Sequence, residues 1–157
     1  MLFRSAQLLQ LAVATPLVSA LVIACGLPKR FATKLAAVAF VVPALVALWL
    51  WSEFPVGGGH QYHFLSVTDT GLAPLGISLK LGLNGIALPM FLLAAVVGLA
   101  AGLYALRSGA ERLKLYLLLL LVIQGGLLGV FASVDIFFFY FFHELALITT
   151  LIGRAHV

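Results

Sequence analysis

Val134-Asp135-Ile136-Phe137-Phe138-Phe139-Tyr140-Phe141-Phe142-His143-Glu144-Leu145-Ala146-Leu147-Ile148 is the stretch whose reading decides how this chain folds. With its continuation to Gly153 it is an apolar run of about 20 residues, the length of helix that crosses the hydrocarbon core of a bilayer. One carboxylate interrupts it. Glu144 lies nine residues beyond Asp135, which is roughly 13–14 Å of helical rise, or about half the hydrocarbon thickness. An ionised carboxylate at that depth costs at least about 2.5–3.5 kcal/mol, so its presence points first to function.

Working outward, four further runs have the same character: Ser5 to Leu27, Leu35 to Trp51, Ile86 to Leu106 and Leu115 to Ala132, with the fifth from Val134 to Gly153. The expected fold is therefore an all-α integral membrane protein of about five transmembrane helices, forming a single membrane domain over residues 1–157. Composition agrees. Of 157 residues 64% are hydrophobic and 9% charged, against roughly 45–50% and 25% in soluble globular domains. The formal net charge of +4 does not argue for nucleic acid as a partner, because the basic residues cluster between apolar runs, where they orient membrane helices.

Lys29, Arg30 and Lys34 follow the first run, Arg107, Arg112 and Lys114 follow the third, and Arg154 follows the fifth. The positive-inside rule makes these places cytoplasmic, with the N-terminus outside and the C-terminus inside the cell's inner (plasma) membrane. Arg4 before the apolar stretch and the tetrad Val22-Ile23-Ala24-Cys25 have the look of a lipoprotein signal, but Lys29, Arg30 and Lys34 follow the apolar core, as they do when a helix keeps its N-terminus outside, so the first helix is expected to be retained.

The connection from Ser52 to Gly85 then faces outside, with Trp49 and Trp51 at the interface where aromatics belong. Within it Ile77, Leu79, Leu81 and Leu83 alternate with Ser78, Lys80, Gly82 and Asn84, the period of a half-buried strand. Tyr62 to Val67 is expected to pair with that strand across Thr68-Asp69-Thr70-Gly71 as a short β-hairpin. Gly98-x-x-x-Gly102 and Gly125-x-x-x-Gly129 have the spacing that lets membrane helices approach closely.

Taking a carboxylate out of water disfavours its ionised form, so a buried Glu144 could load and unload a proton. The alternative is a neutral Glu that serves packing alone. Tyr140, one turn earlier on the same face, is a candidate hydrogen-bond partner, although an aromatic there also suits packing. His143 points about 100° away, and imidazole titrates in the useful range. Gln124, mid-run in the fourth helix, is the other strongly polar side chain at depth, and a packing hydrogen bond is its commoner job. The expected proton pathway is thus Glu144, Tyr140, His143 and Gln124. No Lys or Arg lies inside an apolar run, so a counter-charge for Glu144 comes from outside this chain or is absent. Asp135 and Ser133 are expected to cap the fifth helix.

Other chemistry finds little footing. A single cysteine, Cys25, cannot supply an intramolecular disulfide or the thiolates of an iron–sulfur cluster. His60 and His63 in the outer loop could bind a metal, but two ligands in a loop are weak evidence for one; Gly57-Gly58-Gly59 reads as a turn, and no dinucleotide fingerprint, nucleophile elbow or zinc motif occurs. No cofactor is expected to bind in this chain, and no redox site lies in it.

The segment from Ser133 to Ile148 resembles the fifth-helix motif of the chain M, or subunit-4-type, family of NADH-quinone oxidoreductase, the antiporter-like proton-pumping membrane subunits of respiratory complex I. Gly76 through Ile86 resembles that family's entry into its third helix, and Gly125 to Phe131 the end of its fourth. The resemblance implies a fold of about fourteen helices, of which this chain matches the N-terminal part, so a truncated or fragmentary member is expected. It implies that Glu144 is the carboxylate of a transmembrane proton pathway coupled to lysines on later helices. NADH and quinone would be used by other chains of the complex, and the partners would be its other membrane subunits and the lipid bilayer. His143 stands where the family usually has Trp, Asn84 where it has Asp, and Thr149 where it has Pro, and the likeness fades after Ile148. A cation/proton antiporter subunit of the same superfamily and a structural membrane scaffold remain the alternatives.

Overall fold

The computed structural model describes residues 2–55, 61–71 and 77–155, with side chains from Ser5 to Gly153 within those ranges. Gly57-Gly58-Gly59, His60, Gly76, the side chain of Arg154, and His156 and Val157 lie outside the described residues.

Among the described residues five helices, each long and apolar enough to cross a membrane, pack as a bundle. They are α1 (Leu2–Ala24), α2 (Lys29–Glu53), α3 (Ala87–Arg107), α4 (Leu113–Ala132) and α5 (Ile136–Ala155), with strands β1 (His63–Thr68) and β2 (Leu79–Leu83) between α2 and α3. The five expected spans and the hairpin are all present.

The boundaries differ from expectation for local reasons. Helix α1 stops three residues early, because Gly26 turns the chain with φ 98°, a conformation that suits glycine, and Pro28 follows. Helix α2 then begins at Lys29, so the three cations placed between the first two helices instead lie on its first turns. Their long stems can keep the charged ends at the interface. Helix α5 begins at Ile136 because the Asp135 carboxylate accepts the Phe137 N–H at 2.9 Å. Ser133 does not share that task. Its N–H and its hydroxyl both donate to the Gly129 carbonyl, at 2.9 and 2.7 Å, so it closes α4. Asn84 starts α3, its side-chain oxygen accepting the N–H groups of Ile86 at 3.1 Å and Ala87 at 2.8 Å.

The core divides along the bundle axis. At one end Ile23, Ala36, Phe40, Ala105 and Leu117 join the end of α1, the start of α2, the end of α3 and the start of α4. At the other end Leu9, Leu50, Phe91, Leu128 and Phe142 meet the inner face of the hairpin through Phe64, Leu81 and Leu83. The first end carries Lys29, Arg30, Lys34, Arg107, Arg112 and Lys114 and is called the basic end below. Exposed apolar side chains such as Leu21, Leu45 and Val97 cover the sides, as suits helices solvated by lipid.

The strands pair antiparallel, His63 opposite Leu83 and Ser66 opposite Leu81, so β1 holds one extra residue between these pairs. Phe64 sits in that bulge with φ 59°, uncommon for a bulky residue, and is directed into the core. The first strand ends one residue later than expected, at Thr68, and the second starts at Leu79 instead of Ile77. The hairpin is tied to the bundle by Gln10, whose Nε2 donates to the Thr68 hydroxyl at 2.7 Å, and by Val134, whose N–H donates to the Lys80 carbonyl at 2.9 Å.

Candidate functional site

Helix α5 is an edge helix. Its inward face is occupied by Phe142, Ala146 and Thr149, and it packs chiefly on α4. The closest approach is at Gly126, where a Cβ would come within 3.1 Å of the Phe142 carbonyl oxygen, while the Phe142 ring fills the place a side chain at Gly129 would need. Glu144 is two residues from both Phe142 and Ala146, which at 100° per residue turns it to the opposite side of the helix.

The structure therefore places Glu144 at mid-span but on the outward face, its side chain 61% exposed. Within these five helices the carboxylate is not buried, because the contact face of α5 is used up by its packing on α4. Tyr140 lies on the same outward face and is also exposed, with no direct hydrogen bond to Glu144 among the described residues. His143 comes closer than its sequence offset suggested, its Nδ1 being 3.7 Å from Glu144 Oε1. The imidazole stacks on Phe139, with ring centroids 6.3 Å apart and planes 13° from parallel, which holds it beside the carboxylate.

Gln124 stands apart from these three. It points from α4 toward α3 and fills the space above Gly98. It is 2% exposed, and neither its Oε1 nor its Nε2 has a hydrogen-bond partner among the described residues. The expected packing hydrogen bond is absent there.

The two glycine pairs also work differently from expectation. Each is a set of sockets for side chains, with Phe40 seated at Gly102, Leu17 at Gly125 and Phe142 at Gly129. The approach of backbones occurs at Gly126, which the four-residue spacing did not single out; the Gly125-Gly126 doublet was the available signal.

No family model matches the chain. It is similar to NADH-quinone oxidoreductase subunit M of Pseudomonas aeruginosa, with 31% identity over 125 residues that make up 76% of this chain and 25% of that protein. It is also similar to NADH-quinone oxidoreductase subunit 13 of Thermus thermophilus, 32% identical over 146 residues, 90% of this chain and 27% of that protein. Among solved structures, a chain of the membrane-bound sulfane sulfur reductase, an archaeal respiratory membrane complex, has the same fold with a TM-score of 0.67 at 21% identity, covering 91% of this chain and 29% of that one. The chain thus spans about a quarter of the length of the curated relatives it matches. The resemblance read from the sequence is borne out.

Proposed function

We propose that this chain, a relative of the subunit-M type, contributes to proton translocation as part of a membrane subunit of a respiratory NADH-quinone oxidoreductase. In this reading Glu144 is the proton-carrying carboxylate and His143 its immediate neighbour. The observation that carries it is a His–Glu pair at mid-span on a helix face that the chain's own five helices leave open. A carboxylate facing lipid at that depth is costly, whereas one facing another protein surface can be matched by a donor or a cation. Every Lys and Arg of the chain lies in a loop, in the hairpin or at a helix end, so the matching group belongs to helices outside these five.

The same reading places the basic end in the cytoplasm, the hairpin outside the inner membrane, and the NADH and quinone chemistry in other chains. Replacing Glu144 by Gln in the assembled complex tests it. The expected result is normal assembly with proton pumping strongly reduced. Unchanged pumping would reduce Glu144 to a packing role and overturn the proposal, while a switch from proton to sodium dependence would favour an antiporter.

A further inference from the structure

A groove of about 820 Å³ opens between α4 and α5 at the basic end, away from the outward face that carries Glu144. Its walls are largely apolar, formed by Leu115, Leu119 and Ile123 of α4 facing Thr150 and Gly153 of α5. The threonine adds little polarity, because its hydroxyl is already bonded to the Ala146 carbonyl at 2.9 Å. Arg112 stands at the mouth, at the start of α4. From Arg112 to Ile123 the groove follows eleven residues of helix, about 16 Å, close to half of a roughly 30 Å hydrocarbon core. It therefore runs from the headgroup level to the midplane, the path of one acyl chain.

Charge at the mouth sets the class of headgroup. Lys29, Arg30, Lys34, Arg107, Arg112 and Lys114 share this end with one acidic side chain, Glu111, among the described residues. The first turn of α4 holds no acidic residue, so its N–H groups and helix dipole add to the field of Arg112.

We infer that this groove holds an anionic phospholipid, its phosphate beside Arg112 and one acyl chain between α4 and α5. Gly153 keeps the floor open: a Cβ there would meet only Leu119 Cδ1, at 3.9 Å, so a larger side chain would fill the space without disturbing the fold.

Native mass spectrometry of the purified chain tests this with two probes of equal acyl length, phosphatidylglycerol and phosphatidylcholine. The wild-type chain is expected to retain phosphatidylglycerol about fivefold better, the factor that one cation near a membrane surface supplies. Arg112→Gln should shrink that preference, and Gly153→Leu should reduce retention of both. A wild-type chain without headgroup preference, or a Gly153→Leu chain that retains phosphatidylglycerol as well as wild type, would overturn the inference. So would a photoreactive side chain at position 119 that crosslinks in membranes to a second copy of the chain or to another helix instead of to lipid.

Discussion

Gln124 brings into the bundle an amide that no group among the described residues answers, and a buried amide without a partner costs about 1–3 kcal/mol. Gln124→Met keeps the length of the side chain and removes the unmet polar atoms, so the thermal unfolding midpoint in detergent is expected to hold or rise. A clear fall would mean that the amide has a partner in the membrane. Gly129 is the opposite case. A Cβ there coincides with the Phe142 ring, which is buried, so Gly129→Ala should lower stability by about 1–3 kcal/mol, the cost of overpacking a filled site. The same unfolding measurement reads it, and a midpoint equal to wild type would show that α5 can slide on α4. These two residues illustrate what the sequence can say at this scale. Gln124 and Gly129 were conspicuous by type, yet whether each serves a hydrogen bond or a socket depends on which neighbour arrives, and spacing does not name the neighbour.

Helix ends were more legible, because caps are local. Asp135 was read as a cap and is one, whereas Ser133 was assigned to the wrong helix, since a serine in a three-residue junction can close the helix before it as readily as open the helix after it. Asn84 caps α3 with an oxygen that Asp also has, so Asn84→Asp should leave stability nearly unchanged while Asn84→Ala lowers it by about 1 kcal/mol. Thermal unfolding of the two variants side by side checks this, and equal losses would mean that the cap contributes nothing. The hairpin shows both sides of element-scale reading. Its period-two pattern placed β2 correctly, with Leu81 and Leu83 in the core, but the bulge at Phe64 has no periodic signature and was not visible.

For the whole molecule the open question is what lies against α5. In its membrane-spanning window 17% of residues are buried, against 28–44% in the other four spans, and Phe137, Tyr140, Glu144, Leu147 and Leu151 form one continuous outward stripe. On the proposed function that stripe is covered by protein. A lipid-soluble photolabel is therefore expected to mark it in the isolated chain and to lose access in the assembled complex, while Val97 on α3 serves as the reference position. Equal labelling of the stripe in both states would leave Glu144 facing lipid and remove the basis for a proton pathway there. The sequence by itself determined the five spans, the hairpin, the concentration of cations at one end and the mid-span depth of Glu144, because each follows from the length and period of apolar runs along a single helix or strand. Only the tertiary structure decided that Glu144 faces outward beside His143, that Gln124 turns toward α3, and that a groove opens below Arg112. Those outcomes depend on which side of each helix is taken up by packing, a choice made between helices and therefore not written in any one of them.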